Sequence, residues 1–511
     1  MTTPPCDLPQ LESARSRIEA AYDPQLLRTA GRQLADLLGD HLKRVEASAG
    51  TVLNWREPHD NIVAADRFLQ TGDKKSSAAD EDRSALVDHF ASLVRVMLER
   101  GHNLHDPRYI GHQVPASVPL AGLFDAVGSV TNQVMAIYEM GPWASAVEEA
   151  LVGRLGELIG WPPNTFSGVA THGGSLANLT ALLTARNVVL GDVWEHGIDC
   201  TGPRPVLVVH ADAHYSHGRA AGLLGLGTNQ IVRARLDNER RIDPDRLDET
   251  LAELRKSNTP IVAVVACACA TPIGAFDPLN DIADICQRHD VWLHVDAAHG
   301  GAALFSSRHR HLLDGLDRAD SLVWDAHKMM FVPALCAFVF LKDRRHRFEA
   351  FRQEAPYLFD PSAPGLADHD SGLRTVECTK RAMTFGLWGV WSLFGRQLFA
   401  DMVDVTFDMG RIFYEKLTAA DDFQPLHRPA CNIVAFRHVP EELRGAAPER
   451  IGRFQLDLRR VVIRSGEFYI VPTQFEGVAA LRVTIINPLT RPEHLDRLME
   501  TLRKQGRVLL D

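Results

Sequence analysis

The sequence has no CxxC pair among its eight cysteines, no excess of basic charge and no internal repeat. It also has no apolar run long enough to cross a bilayer. Each absence removes a class of function. Cys267 and Cys269 lie two apart in what reads as a buried strand, so they share one face and read as small core residues rather than a redox or metal pair. No metal site is expected. The formal net charge of −10 disfavours nucleic acid as the main partner, because phosphate contacts need a basic surface. The longest apolar stretch, near Ile261–Ala270, falls far short of the roughly 20 residues a spanning helix needs, so no membrane is expected. The start, MTTPPCDLPQ, lacks a basic stretch followed by an apolar block, and no secretory signal is expected. Together these readings lead us to expect a reduced, cytoplasmic protein.

What is present is an ordinary globular balance, 45% hydrophobic and 23% charged, in 511 residues, more than one domain usually needs. Residues 1–100 read as a helical segment. Asp23-Pro24 predicts a helix start, followed by Leu27, Ala30, Leu34, Leu37 and Leu38 at helical spacing. Leu86, Phe90, Leu93 and Met97 make a second stripe. Both are expected to be packing faces, with a second subunit as a candidate partner. Residues 101–395 form a large domain in which apolar runs alternate with helical stretches. Pro205–His210, Pro260–Ala266, Val291–Val295, Ser321–Trp324 and Cys336–Leu341 predict strands; Ser175–Val189, Asp243–Lys256 and Asp277–Arg288 predict helices. That alternation predicts an α/β fold with a mostly parallel sheet covered on both faces. Residues 396–511, with strands at Asn432–Phe436 and Leu481–Asn487 and a helix from Pro492, read as a small α+β domain.

Chemistry should then sit at the carboxyl ends of the strands. HVDAAHGG (His294–Gly301) and SLVWDAHKMM (Ser321–Met330) place Asp296 and Lys328 just past consecutive strands. Singly, an aspartate there caps a helix and a lysine snorkels to solvent. As an ordered pair they are what a pyridoxal 5′-phosphate (PLP) enzyme needs. The lysine forms a Schiff base, and the carboxylate keeps the pyridine nitrogen protonated so that the ring accepts electrons. In THGGSLANLTALLTARN (Thr171–Asn187) a glycine pair and Ser175 open a helix, an arrangement that suits a phosphate but also serves as an ordinary cap. ADAHYSHGRA (Ala211–Ala220) offers a histidine after a strand.

These segments, with DPRYIGHQV (Asp106–Val114), YEMGPWASAVEE (Tyr138–Glu149) and LRVTIINPLT (Leu481–Thr490), resemble the group II PLP-dependent amino-acid decarboxylases of fold type I. Glutamate, cysteine sulfinate, aromatic L-amino-acid and diaminobutyrate decarboxylases belong to that family. The resemblance spans roughly residues 100–500 and implies roles. Lys328 matches the Schiff-base lysine and His327 a histidine near the cofactor. Asp296 matches the partner of the pyridine nitrogen, with Ala298 beside it. His214 matches the histidine stacked on the ring. Gly174 and Ser175 match phosphate ligands, and Thr271 a threonine beside the cofactor. Tyr357, in EAPYLFDP, matches a loop tyrosine that protonates Cα after CO2 leaves. The family also implies a homodimer with the site at its interface.

Departures put the substrate in question. His299 follows DAA where the family often has an aromatic residue, and Cys269-Ala270-Thr271 replaces Gly-Thr-Thr. Lys380 and Arg381 stand where glutamate decarboxylase has an arginine for the side-chain carboxylate, and Gly111-His112 replaces Asn-Gln. His112, Lys380 and Arg381 point toward an acidic L-amino acid; aromatic, aliphatic and diamino acids stay open. The expected reaction is α-decarboxylation to the amine. Decarboxylation with oxidative deamination to an aldehyde is the alternative, disfavoured by Tyr357, and a catalytically silent homologue is disfavoured by the intact motifs.

Overall fold

The computed structural model describes residues 8–73, 83–199, 201–352 and 368–510. The chain forms two compact units that cut it differently from the three segments read in the sequence. One comprises residues 1–109, 457–470 and 497–511, the other residues 110–456 and 471–496. The C-terminal stretch is shared between them because two late segments return to the N-terminal unit. Inside that unit Tyr469 stacks on Tyr109, with ring centres 5.5 Å apart, and Arg497 pairs with Glu467 at 2.8 Å.

The N-terminal unit is helical. Asp23 caps helix Pro24–Glu46 by accepting from Gln25 N–H at 2.9 Å, with Pro24 opening the first turn. Its neighbour, Arg83–Arg100, buries Val87, Ala91 and Val94 rather than the larger stripe beside them. Met97 is 72% exposed and Leu27 56% exposed, while Leu34, Leu37, Leu38, Leu86, Phe90 and Leu93 are half-buried, so within one chain each stripe is only partly covered. Among the described residues no helix is long and apolar enough to cross a membrane.

The larger unit is built on a seven-stranded sheet. Its strands are β1 (Ser167–Thr171), β2 (Val206–His210), β3 (Ile231–Ala234), β4 (Ile261–Cys267), β5 (Leu293–Asp296), β6 (Ser321–Asp325) and β7 (Ala337–Leu341). Their order is β1-β7-β6-β5-β4-β2-β3. β4, β5, β6 and β7 are buried along their whole length, as the apolar runs predict for a sheet covered on both faces. The sheet is parallel except at β7, which runs antiparallel to β1 and β6. Only residues 326–336, without a helix, join β6 to β7. That is too little for the crossover a parallel neighbour requires. β4 ends at Cys267, so Cys269 lies beyond the strand rather than in it.

The same unit carries a four-stranded antiparallel sheet of β8 (Phe423–Pro425), β9 (Ile433–His438), β10 (Val471–Phe475) and β11 (Val478–Thr484), in the order β8-β9-β11-β10. The long helix Phe385–Thr418 breaks at Gly395, whose φ of 70° suits a residue without a side chain.

Candidate active site

A cavity of about 380 Å³ opens at the carboxyl ends of β1, β4, β5 and β6. Gly174, Ser175, His214, Thr271, Asp296, Ala298, His327 and Lys328 all line it. A larger cavity, about 750 Å³, lies at the opposite ends of β4 and β5 around Trp292 and holds none of them.

Asp296 ends β5 and is 7% exposed. Its Oδ1 accepts from the Ala298 N–H at 3.1 Å, and its Oδ2 from His217 Nε2 at 3.0 Å and Asn178 Nδ2 at 3.1 Å. Burial opposes its charge, but the His217 hydrogen bond and the nearby Lys328 outweigh it and hold the carboxyl far below the usual range. It therefore stays ionised at neutral pH. Lys328 lies in the turn after β6, with Nζ 3.1 Å from Asp325 Oδ2. Burial works against its charge too, yet the carboxylates of Asp325 and Asp296 raise its pKa.

His214 has one defined tautomer. Its Nδ1 lies 2.9 Å from Ser216 Oγ and accepts from the Ser216 N–H at 3.3 Å, so Nδ1 carries no hydrogen and Nε2 does. Burial lowers its pKa, which favours that neutral form. His299 is buried, sits 2.9 Å from Asn432 Oδ1, and is pushed by burial down to about 3, so it brings no positive charge.

At the start of helix Gly174–Leu190 only glycine fits. A Cβ on Gly174 would come within 2.7 Å of Asp325 Oδ2, and Gly173 has a φ of +99°. The helix N-terminus is therefore bare, with Ser175 beside it, a place suited to phosphate. An ionised carboxylate, an amine, an imidazole and this cradle around one cavity fit pyridoxal phosphate.

The model for the pyridoxal-dependent decarboxylase conserved domain matches residues 70–439. The chain belongs to the pyridoxal-dependent decarboxylases. Rat cysteine sulfinic acid decarboxylase is 29% identical over 496 residues, covering 95% of this chain and 98% of the relative. The human acidic amino acid decarboxylase GADL1 is 31% identical over 464 residues, covering 89% and 86%. Among solved structures, mouse CSAD superposes with a TM-score of 0.83 at 27% identity, over 95% of this chain and 99% of that one. Oryza sativa TDC with PLP and tryptamine reaches 0.83 at 22% identity, over 96% and 99%, and shows the shared fold. The protein is a PLP-dependent amino-acid decarboxylase.

Not every residue named from the sequence reaches the decarboxylase's cavity. Lys380 is buried elsewhere, its Nζ 2.7 Å from both carboxylate oxygens of Glu148 and from the Ala170 carbonyl. Burial lowers its pKa against the pull of Glu148. Its cation is spent on a structural pair, which corrects its reading as a substrate ligand. Arg381, its neighbour on a two-residue strand paired with Val134–Met135, is exposed and donates to Ser129 Oγ at 2.7 Å. His112 is exposed, although Gln113 and Val114 after it line the cavity. Tyr357 lies outside the described residues.

Asn178, His217 and Asp325 were missed in the sequence. Asn178 stands one helical turn after Ser175 in helix Gly174–Leu190, and His217 stands three residues after His214 in the first turn of helix Ser216–Leu223. Asp325 is three before Lys328.

The Lys380 pairing makes a stability prediction. Lys380→Met leaves Glu148 buried without its partner and is expected to cost about 3–5 kcal/mol in denaturant unfolding. Adding Glu148→Leu should recover most of it. A single variant as stable as wild type would contradict the pairing.

Proposed function

We propose that this decarboxylase removes the α-carboxyl group of an acidic L-amino acid, releasing CO2 and the amine. Arg482 carries the substrate class. It is 7% exposed, donates through Nη1 to the Thr271 carbonyl at 2.7 Å, and has no carboxylate partner among the described residues. Burial lowers its pKa to about 10, so it remains a cation at neutral pH. An unneutralised buried guanidinium against a cavity-lining residue suits a substrate acid group. The names of the relatives, cysteine sulfinic acid and acidic amino acid decarboxylases, agree.

Bound pyridoxal phosphate supplies a ring that draws in the electrons of the breaking Cα–carboxylate bond. Lys328 would hold its carbonyl carbon, Gly174 and Ser175 its phosphate, and Asp296 its protonated nitrogen, with Thr271, Ala298 and His327 around it. His214 presents an N–H donor to the cavity. Tyr357 returns a proton to Cα, an assignment supported by the resemblance of its segment alone.

The test is a panel of L-amino acids, with CO2, amine, aldehyde and oxygen all measured. Cysteine sulfinate, aspartate or glutamate should exceed aromatic and diamino acids in kcat/KM by about 100-fold or more, the loss expected when a site built for a polar group meets a substrate without it. Faster turnover of an aromatic acid would overturn the substrate class. Aldehyde with oxygen consumption would overturn the reaction.

We also propose a homodimer. Helix Pro119–Val130 exposes Leu120, Leu123, Val127 and Val130 at 40%, 55%, 56% and 62% along one stripe, apolar surface that a second copy would cover. We expect a buried area above the standard ~1,600 Å². Leu123→Glu with Val127→Glu should convert the dimer to monomer in sedimentation. An active wild-type monomer would refute the dimer.

A further inference from the structure

Asp296 is held from behind by two side chains whose own situations differ. Asn178 is fully used. Its Nδ2 donates to Asp296 Oδ2 and to Ser216 Oγ at 3.2 Å, and its Oδ1 lies 2.9 Å from His294 Nε2. His294 Nδ1 in turn meets Ser321 Oγ at 2.9 Å, and that oxygen accepts from Trp292 Nε1 at 2.8 Å. Asp296 only accepts, so the amide's N–H side must face it; Asn178 Oδ1 then accepts from the His294 Nε2 N–H, and neutral His294 takes the serine hydrogen at Nδ1.

His217 is 1% exposed and only half used. A carboxylate only accepts, so Nε2 carries the hydrogen shared with Asp296 at 3.0 Å. The other ring nitrogen, Nδ1, is buried and has no hydrogen-bond partner among the described residues. An unsatisfied buried nitrogen is costly, and an apolar side chain of similar size would fill the same space without that cost. The imidazole's evident use is its single bond to the carboxylate.

We propose that His217 is a positioning residue that orients the Asp296 carboxylate and keeps the shared proton on the ring nitrogen of the cofactor rather than on Asp296. The proposal rests on the cofactor reading of the cavity. With Ala298 and Asn178, His217 completes three donors to the carboxylate, which fix its plane and leave its remaining acceptor capacity for one more donor, facing the cavity. The titratable groups around the pair are His214, His294, Lys328, Asp325 and Cys267.

The test compares holoenzyme carrying His217→Leu, which removes the donor, with His217→Gln, which restores an N–H. Pyridoxal phosphate affinity, the pH dependence of the bound cofactor's visible absorbance, and kcat against KM are read in each. In His217→Leu the cofactor Kd should rise about tenfold or more, the loss expected for a hydrogen bond to a charged group. The absorbance profile should shift along the pH axis, and kcat should fall while KM stays nearly constant. His217→Gln should recover most of each change. A Leu variant with wild-type affinity and an unmoved profile overturns the proposal, as does a Gln variant as impaired as Leu. If His217→Leu fails to fold, His217→Gln decides: a near-wild-type profile supports the role, and a shifted one overturns it. Wild-type protein that bound no pyridoxal phosphate would strike the cofactor reading instead.

Discussion

Lys328→Ala is expected to abolish turnover, lowering CO2 release by several orders of magnitude, and to end covalent capture of the cofactor. The proposed role makes this amine the covalent anchor, and among the described residues no other lysine lines the cavity. Two carboxylates, Asp325 at 3.1 Å and Asp296, surround that amine, so the substitution also leaves their charges facing each other. Borohydride reduction followed by peptide mapping should place the cofactor on Lys328 in the wild type and nowhere in the variant. The folded state should survive, because the chain around Lys328 is held by backbone hydrogen bonds, including Lys328 N–H to the Asp325 carbonyl at 3.2 Å. Full activity in Lys328→Ala would end the assignment.

Asp296→Asn should be nearly as damaging for a different reason. The substitution keeps the shape, removes the charge and introduces an NH2 among donors. If that NH2 takes the Oδ2 side, it faces His217 Nε2 and Asn178 Nδ2; on the Oδ1 side it faces the Ala298 N–H. Neither orientation satisfies every group, and each leaves a buried donor unmet, at about 1–3 kcal/mol. The cofactor should therefore bind about tenfold or more weakly. Turnover should fall further, because an uncharged partner no longer keeps the pyridine nitrogen protonated. The measurements are cofactor Kd by absorbance titration and kcat at saturating cofactor. Activity within about twofold of wild type at saturation would show that the charge at position 296 is not needed, since a one-unit pKa perturbation alone is worth about 1.4 kcal/mol.

Local pattern carried much of the reading. A strand that is apolar throughout must be buried on both sides, and the first polar residue after it must sit at the sheet's edge. Asp296 was legible for that reason, Lys328 because it follows the next apolar strand within a few residues, and Gly174-Ser175 because a helix start follows a glycine pair. The stripes of the N-terminal segment were less legible. Helical spacing shows that a face is apolar without showing which neighbour covers it, and the helix Arg83–Arg100 buries Val87, Ala91 and Val94 beside the larger residues of its stripe.

By itself the sequence determined the alternation of strands and helices, the α/β class and eight residues that come to line one cavity, because each depends on residues close along the chain. Only the tertiary structure decided how charges are paired. Lys380 reads as a free cation near the substrate, yet it meets Glu148, 232 positions away, in a buried pair. Arg482 reads as a strand residue, yet it is a buried cation without a carboxylate partner among the described residues. His217 reads as one more polar residue in the segment after a strand, yet it donates to a carboxylate 79 positions further on. Coulomb and hydrogen-bond energies depend on distance in space and on the exclusion of water, and both are set when the strands come into register.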